Sequence, residues 1–247
     1  MNFLGLVNDA MTECGTGQTT ALTTVQTASN AEVARFITWV GDAWNEMQID
    51  NPTWEFLRTT VDIQTTANIG AYTLATLNAQ ILAASQFTTL SPTQPVPANA
   101  GIAAFIPKTF RGWHTAQGFP DEQLINYLPW DTFRNIYRYA AMRTTYNRPV
   151  IASVDPLKTL NFGPIPDDIY TIEFEIYQLP QILVADADVP MAPVRFHKAI
   201  TYKVMQKYAA FESAPEVMAR GTAEYEKIMG ELYQDRLPII MAGPPLA

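Results

Sequence analysis

Ile169-Tyr170-Thr171-Ile172-Glu173-Phe174-Glu175-Ile176-Tyr177-Gln178 alternates without a break. Ile169, Thr171, Glu173, Glu175 and Tyr177 fall on one side, and Tyr170, Ile172, Phe174, Ile176 and Gln178 on the other. Successive Cβ atoms leave a strand on opposite faces, so this period of two marks a half-buried strand. The turn-rich Pro164-Ile165-Pro166-Asp167-Asp168 just before it predicts a hairpin to a strand over 158–162.

Downstream, past Pro190 and Pro193, the period changes to that of a helix. Phe196, Ile200, Val204, Tyr208 and Phe211 recur as one stripe, the mark of an amphipathic helix. Ser213 and Glu216 have the spacing of a capping box, in which hydroxyl and carboxylate each satisfy a free backbone N–H. A second helix is expected there, with Met218, Tyr225, Ile228, Met229 and Leu232 buried and Pro238 as its stop. The final residues 237–247 carry no charge. An apolar, proline-rich tail of that length cannot fold alone and needs a surface to lie against.

Upstream, the segment 56–119 loses the helical period. Strands are expected over 60–65, 71–76 and 102–110, with an exposed loop over 90–101, where Pro92, Pro95 and Pro97 cannot donate to a ladder. A short helix is expected over 130–142. Near the start, Phe3, Val7, Ala10, Met11 and Cys14 form a stripe that ends at Gly15-Thr16-Gly17, followed by a Thr-rich linker over 18–27. Ser29 and Glu32 form another capping-box pair, which starts a helix near Asn30. Its buried face is Val33, Phe36, Ile37, Val40, Trp44 and Met47, and Asn51-Pro52 stops it. The expected fold is α+β: N- and C-terminal helices (1–55 and 190–236) packed as a bundle, an inserted antiparallel β-rich segment (56–189) and an extended tail (237–247).

Charged residues make up 16% of the 247 residues while aromatics reach 11%, against a usual charged share of about 25%. A surface so poor in charge suits a subunit that is covered by its neighbours. The formal charge of −8 argues against a general nucleic-acid binder, which needs a net basic field. Cys14 is the only cysteine, so one chain holds neither a disulfide nor a cysteine zinc site. The opening residues lack the basic start of a secretory signal, and no apolar run is long enough to span a bilayer.

Any Ser-His-Asp or Cys-His chemistry must use His114 or His197, the only histidines. Neither follows a nucleophile-elbow pattern, so both read as structural. Glu173 and Glu175 share a strand face and resemble a carboxylate pair of the kind that hydrolyses glycosides; the plainer reading is the solvated side of an amphipathic strand. Asp186 and Asp188 lack the loop of a calcium site, and no phosphate loop or dinucleotide fingerprint occurs. No catalytic, metal or cofactor site is expected. Arg134, Arg138, Arg143 and Arg148 are interleaved with Trp130, Phe133, Tyr137, Tyr139 and Tyr146. That composition suits phosphate contacts and base stacking, or ion pairs between subunits.

Three stretches taken together resemble the head-to-tail adaptor (head-completion or connector) proteins of tailed bacteriophages. The first is Phe3-Leu4 with its short helix, the Gly-Thr linker, Phe36-Ile37-Thr38-Trp39-Val40-Gly41-Asp42-Ala43-Trp44 and Trp54-Glu55-Phe56-Leu57-Arg58. The second is Arg148-Pro149, then Leu160-Asn161-Phe162-Gly163-Pro164-Ile165-Pro166-Asp167 and Tyr170. The third is Asp186-Ala187-Asp188-Val189-Pro190, then Phe196-His197-Lys198-Ala199-Ile200 and the closing helix pair. The likeness covers nearly the whole chain in order, and the insertion over 66–119 departs most.

The resemblance implies a non-enzymatic virion protein of the neck, assembled in the host cytoplasm: a ring, commonly twelvefold, docked beneath the portal and lining the DNA channel. Its partners would be further copies of itself, the portal protein, the next tail or nozzle protein, and DNA that passes without sequence-specific binding; no membrane is involved. Portal contact would map to the last helix and to Leu237, Pro238, Ile239, Ile240, Met241, Pro244, Pro245 and Leu246. Arg134, Arg138 and Arg143 are candidates for the channel wall or for contacts between subunits. The alternatives are a tail-tube or baseplate subunit, which should be mostly strand, and a glycoside hydrolase.

Overall fold

The computed structural model describes residues 1–16, 21–28, 30–84, 86 and 100–236. In chain order the elements are α1 (Phe3–Glu13), α2 (Ala31–Ile49), β1 (Arg58–Gln64), β2 (Ala71–Tyr72), α3 (Leu74–Ala83), β3 (Ile102–Phe105), β4 (Arg111–His114), β5 (Gln123–Leu124), β6 (Asn126–Tyr127), α4 (Trp130–Tyr137), β7 (Ile151–Val154), β8 (Leu160–Gly163), β9 (Tyr170–Gln178), α5 (Lys198–Glu212) and α6 (Pro215–Arg236). The fold is α+β, with helices at both ends of the chain and strands between them. The chain divides after Leu57 and after Leu179 into two compact units.

The first unit is helical, and α5 is its hub, with α1, α2 and α6 all packed on it. Neighbours on three sides explain why α5 buries Ala199, Ile200, Thr201, Val204, Met205 and Ala209 rather than a single stripe. Phe211, expected in that stripe, is instead half exposed beneath the Arg35 guanidinium, 4.4 Å from its ring centroid. From α1 the core receives Phe3, Leu6, Val7, Ala10 and Met11, and from α2 Val33, Phe36, Val40, Ala43, Trp44 and Met47. Where α6 crosses α5 it carries Gly221, whose missing Cβ would sit 3.1 Å from the Met205 Cβ. A side chain there would push the helices apart.

The helix caps correct part of the reading from sequence. Asn30, not Ser29, caps α2: its side chain accepts from the Val33 N–H at 2.8 Å, while Ser29 lies outside the described residues. Ser213 does not cap α6. It takes a left-handed conformation (φ 56°) and closes α5, its N–H donating to the Ala209 carbonyl. Pro215 then opens α6 directly, as its locked φ and missing N–H allow at a first helical position.

The second unit contains two sheets. In the first, β9 is central: β1 pairs along one edge from Arg58↔Tyr177 to Gln64↔Thr171, while β4 and β3 share the other edge. The alternation of β9 is realised from Ile172 onward. Tyr170, Ile172, Phe174, Ile176 and Gln178 are buried, and Glu173, Glu175 and Tyr177 are half-buried; Thr171, expected on the exposed face, is buried as well. Phe174 lies between Phe110 and Phe105, with centroids 5.1 and 5.8 Å away.

The second sheet runs β2-β8-β7-β6, and here several expectations fail. The strand at 158–162 makes no hairpin with β9. Instead β8 pairs with β7, because Asp155 Oδ1 accepts from the N–H groups of Leu157 and Thr159 (2.9 and 2.8 Å) and folds that connection into a tight turn. The Pro164–Asp168 stretch therefore carries the chain from one sheet to the other. Likewise β6 pairs β7 in parallel. The strand expected over 71–76 stops at Tyr72, since Thr73 caps a helix, α3, that buries Leu77 and Ile81. The strand expected over 102–110 stops at Phe105 as β3; a turn at Lys108 (φ 69°) follows, and β4 begins only at Arg111. The helix expected over 130–142 ends at Tyr137, and a 3-10 turn, Ala140–Thr144, follows. The loop expected over 90–101 lies outside the described residues except for 100–101.

Candidate functional site

Helix α4 has one inward anchor. Phe133 is buried and stacks between Trp130 and Tyr137, with centroids 5.9 and 5.1 Å away. Tyr137 can lie there because β8 ends in Gly163: a Cβ at that position would fall 2.7 Å from the tyrosine ring. With Phe133 facing in, Arg134 faces solvent, and Arg138 follows one helical turn later. The chain then reverses through Ala140 (φ 50°) into the 3-10 turn that carries Arg143. Trp130, Arg134, Arg138, Tyr139 and Arg143 thereby line one open cleft of about 400 Å³. Arg138 and Arg143 also border a smaller adjoining cavity of about 250 Å³ that reaches Gly70 and Phe162.

The guanidinium of Arg138 donates to Oδ1 of Asn161. Asn161 is buried, and its Nδ2 donates to the Thr159 carbonyl at 2.9 Å, which leaves Oδ1 turned to the arginine. A neutral amide orients the guanidinium without cancelling its charge. Nothing in the sequence marks Asn161 or Gly163 as part of this site, since each acts across more than 20 residues of chain. Arg148, grouped with the other arginines in the sequence, does not join them. Its Nη1 binds both carboxylate oxygens of Asp121 (2.7 and 2.8 Å), and its Nη2 binds the carbonyls of Asp121 and Gly112. The Asp121 carboxyl is held below its usual range, first by the His114 backbone N–H and then by Arg148.

The histidines and carboxylates weighed as candidates in the sequence have structural surroundings instead. His114 accepts from the Ala116 N–H through Nδ1, so its proton lies on Nε2 and is donated to Asp168 at 3.2 Å. His197 is buried, with Nε2 against the Ala192 carbonyl (2.8 Å) and Nδ1 against the Met1 amine (2.7 Å); burial lowers its pKa. Glu175 is held by Arg58, while Glu173 stands opposite Asp62 and Arg111 in the sheet. Asp186 accepts from the Val25 N–H, and Asp188 from those of Val184 and Ala185. Among the described residues no cluster of three or more His, Cys, Asp or Glu is placed to hold a metal ion. A wider groove of about 570 Å³ runs between the β1 edge and α3. There Gln86 meets both the Asp62 N–H and its carboxylate, and Gln80 meets the Gln64 carbonyl, which closes off the strand edge.

The other feature singled out in the sequence, the tail 237–247, lies outside the described residues. Its point of departure is firmly held. Near the end of α6, Tyr233 stacks on Trp54 at 5.2 Å, Trp54 on Phe56 at 5.5 Å, and Phe56 on Trp44 at 6.0 Å. Asp235 pairs with Arg195 and Arg236, and Arg236 reaches Glu55 at 3.9 Å. No helix among the described residues is long and apolar enough to cross a membrane. The family model described as SU10 adaptor protein matches residues 1–244. No curated protein matches the chain.

Proposed function

Since the chain belongs to the SU10 adaptor protein family, a family of phage structural proteins, we propose that it is the subunit of a ring beneath the portal that joins capsid to tail and surrounds the passing DNA. The observation that carries this reading is a family match spanning both units and extending into the tail, residues 1–244. The ring is held by apolar burial across heterologous interfaces that close on themselves, which accounts for a charged share of only 16%. The uncharged tail is the portal-binding segment: Leu237, Ile239, Ile240, Met241 and Leu246 supply apolar area, with Pro238, Pro244 and Pro245 among them. The aromatic stack under Tyr233 and the Arg195–Asp235 pair aim the last turn of α6, so that less freedom is lost when the tail docks. A tail-tube role is disfavoured by a content of about 46% helix and 18% strand among the described residues. The subunit acts mechanically in the neck of the virion.

The test is a pull-down on the portal protein of the same phage with the full chain and with a chain ending at Arg236. Loss of portal binding with an unchanged melting temperature is expected. Binding retained by the shortened chain would remove the tail from the interface, and a full chain that never joins a portal complex at any concentration would overturn the adaptor ring itself.

A further inference from the structure

We infer that the cleft formed by Trp130, Arg134, Arg138, Tyr139 and Arg143 is a binding site for the phosphodiester backbone of DNA. The source of that DNA rests on the adaptor reading; the chemistry of the site does not.

The ten arginines of the chain divide by what they face. Arg58, Arg111, Arg148, Arg195, Arg220 and Arg236 each face a carboxylate. Arg35 lies on the ring of Phe211. The remaining three, Arg134, Arg138 and Arg143, have no carboxylate partner among the described residues, and all three line the same cleft. In a chain with 24 acidic side chains and a charge of −8, a random surface would leave unpaired carboxylates, not a knot of unpaired guanidiniums. Three like charges gathered in one concavity repel one another, and an external anion relieves that repulsion.

The geometry suits phosphate in a chain. Planar guanidinium forks match phosphate oxygens two at a time. Arg138 is turned by the buried Asn161 amide while keeping its full charge. The cleft is an open trough, not a closed pocket, and Tyr139, 58% exposed, offers a ring face beside the cations. Such a mixture of cations and rings tracks a nucleic-acid strand without reading its sequence. Elsewhere the acidic surface repels DNA, so contact is confined to this cleft and stays weak enough for DNA to move past.

The full-length protein is titrated against a short fluorescein-labelled duplex by anisotropy over a range of salt concentrations. The unaltered chain is expected to bind at low salt. Arg134→Gln/Arg138→Gln/Arg143→Gln should bind about tenfold or more weakly, with the slope of log K against log salt shallower by about 2.7 if three phosphate contacts are lost. The triple Lys variant, which keeps the charge without the fork, should retain most of the affinity. Lys108→Gln/Lys227→Gln, which removes charge elsewhere, should match the unaltered chain. Portal pull-down should be the same for all these proteins, so that failure here is distinct from failure of the adaptor reading. Equal DNA binding by the Gln variant, or equal losses from the Lys108/Lys227 control, would overturn the site. Tight binding of inorganic phosphate without DNA binding would overturn it as well. So would a Gln variant that changes only the oligomer distribution in native mass spectrometry, because the arginines would then belong to carboxylates of a neighbouring copy.

Discussion

The helical unit and the β unit use their charges in opposite ways. Along the bundle, cations are spent on the fold. Lys198 bridges Asp9 and Glu13 at 3.2 and 3.3 Å, Arg220 reaches Glu13 at 2.7 Å, and Lys203 and Lys207 both reach Glu46. Thr201 completes the network by donating to Asp9 at 2.8 Å. These contacts tie α5 to α1 and α2, and α6 to α1. In the β unit Arg58, Arg111 and Arg148 do similar work, but Arg134, Arg138 and Arg143 are left outward in one cleft. A unit that consumes its charge internally meets partners through apolar surface; one that keeps charge in reserve can meet a polyanion. The two modes suit the two proposed partners, portal and DNA.

The comparison is strained hardest at the centre of the sheet. Phe174→Ala should cost about 3–5 kcal/mol in urea unfolding, because the aromatic stack of Phe105, Phe110 and Phe174 would be left around a cavity. A loss below about 1 kcal/mol would mean that this core closes without it.

Gly163→Ala should cost about 1–3 kcal/mol by overpacking, since the new methyl would meet the Tyr137 ring at 2.7 Å. As α4 is displaced, DNA binding should fall with stability. A variant that loses stability but keeps full DNA affinity would show that the cleft does not depend on where α4 sits.

The two units should also differ in their response to acid. His197 in the bundle has a pKa lowered from 6.5 by burial. A lowered histidine pKa means that the folded state prefers the neutral ring, so its contribution is complete above 6.5 and declines as pH falls towards the folded value. Asp121 in the β unit is depressed from 3.8, so its contribution holds above that value and is lost only as pH falls below it. Thermal melts should therefore weaken on going from pH 7 to pH 5 in the unaltered chain and weaken less in His197→Gln. Parallel pH profiles for the two would count against this assignment.

The smallest effect is the most telling for the contrast. Arg134→Gln should change stability by less than about 0.5 kcal/mol, as expected for an exposed side chain with no carboxylate partner among the described residues. Arg148→Gln should cost about 1–3 kcal/mol, because it strips several charge-assisted hydrogen bonds from Asp121 and Gly112. Equal costs for the two would erase the distinction between structural and reserved arginines.

Much of the bundle can be read from the primary structure, because its determinants are local. The stripe Phe3, Val7, Ala10, Met11 and Cys14 is buried as spaced, and so is most of the α2 face. The β unit was legible only strand by strand. The alternation of β9 sets which side chains face in, but its partners β1 and β4 come from residues 58–64 and 111–114. No local signal says that β8, next to β9 in sequence, belongs to the other sheet. Helix α3 did leave a trace, with Thr73 as cap and Leu77 and Ile81 four apart, but the β-branched residues around it masked that period.

For the site the same division holds. Arginine and aromatic types were visible between residues 130 and 148 as a composition that suits anions, and the uncharged tail as a segment in need of a surface. Which arginines were free was not visible, because a salt bridge depends on distance in space and not along the chain. Only folding brought Asp121 to Arg148 and Asn161 to Arg138. Side-chain periodicity is a property of the backbone helix or strand itself and is written locally; the pairing of strands and of charges is settled by packing, where residues far apart in sequence compete for the same neighbours.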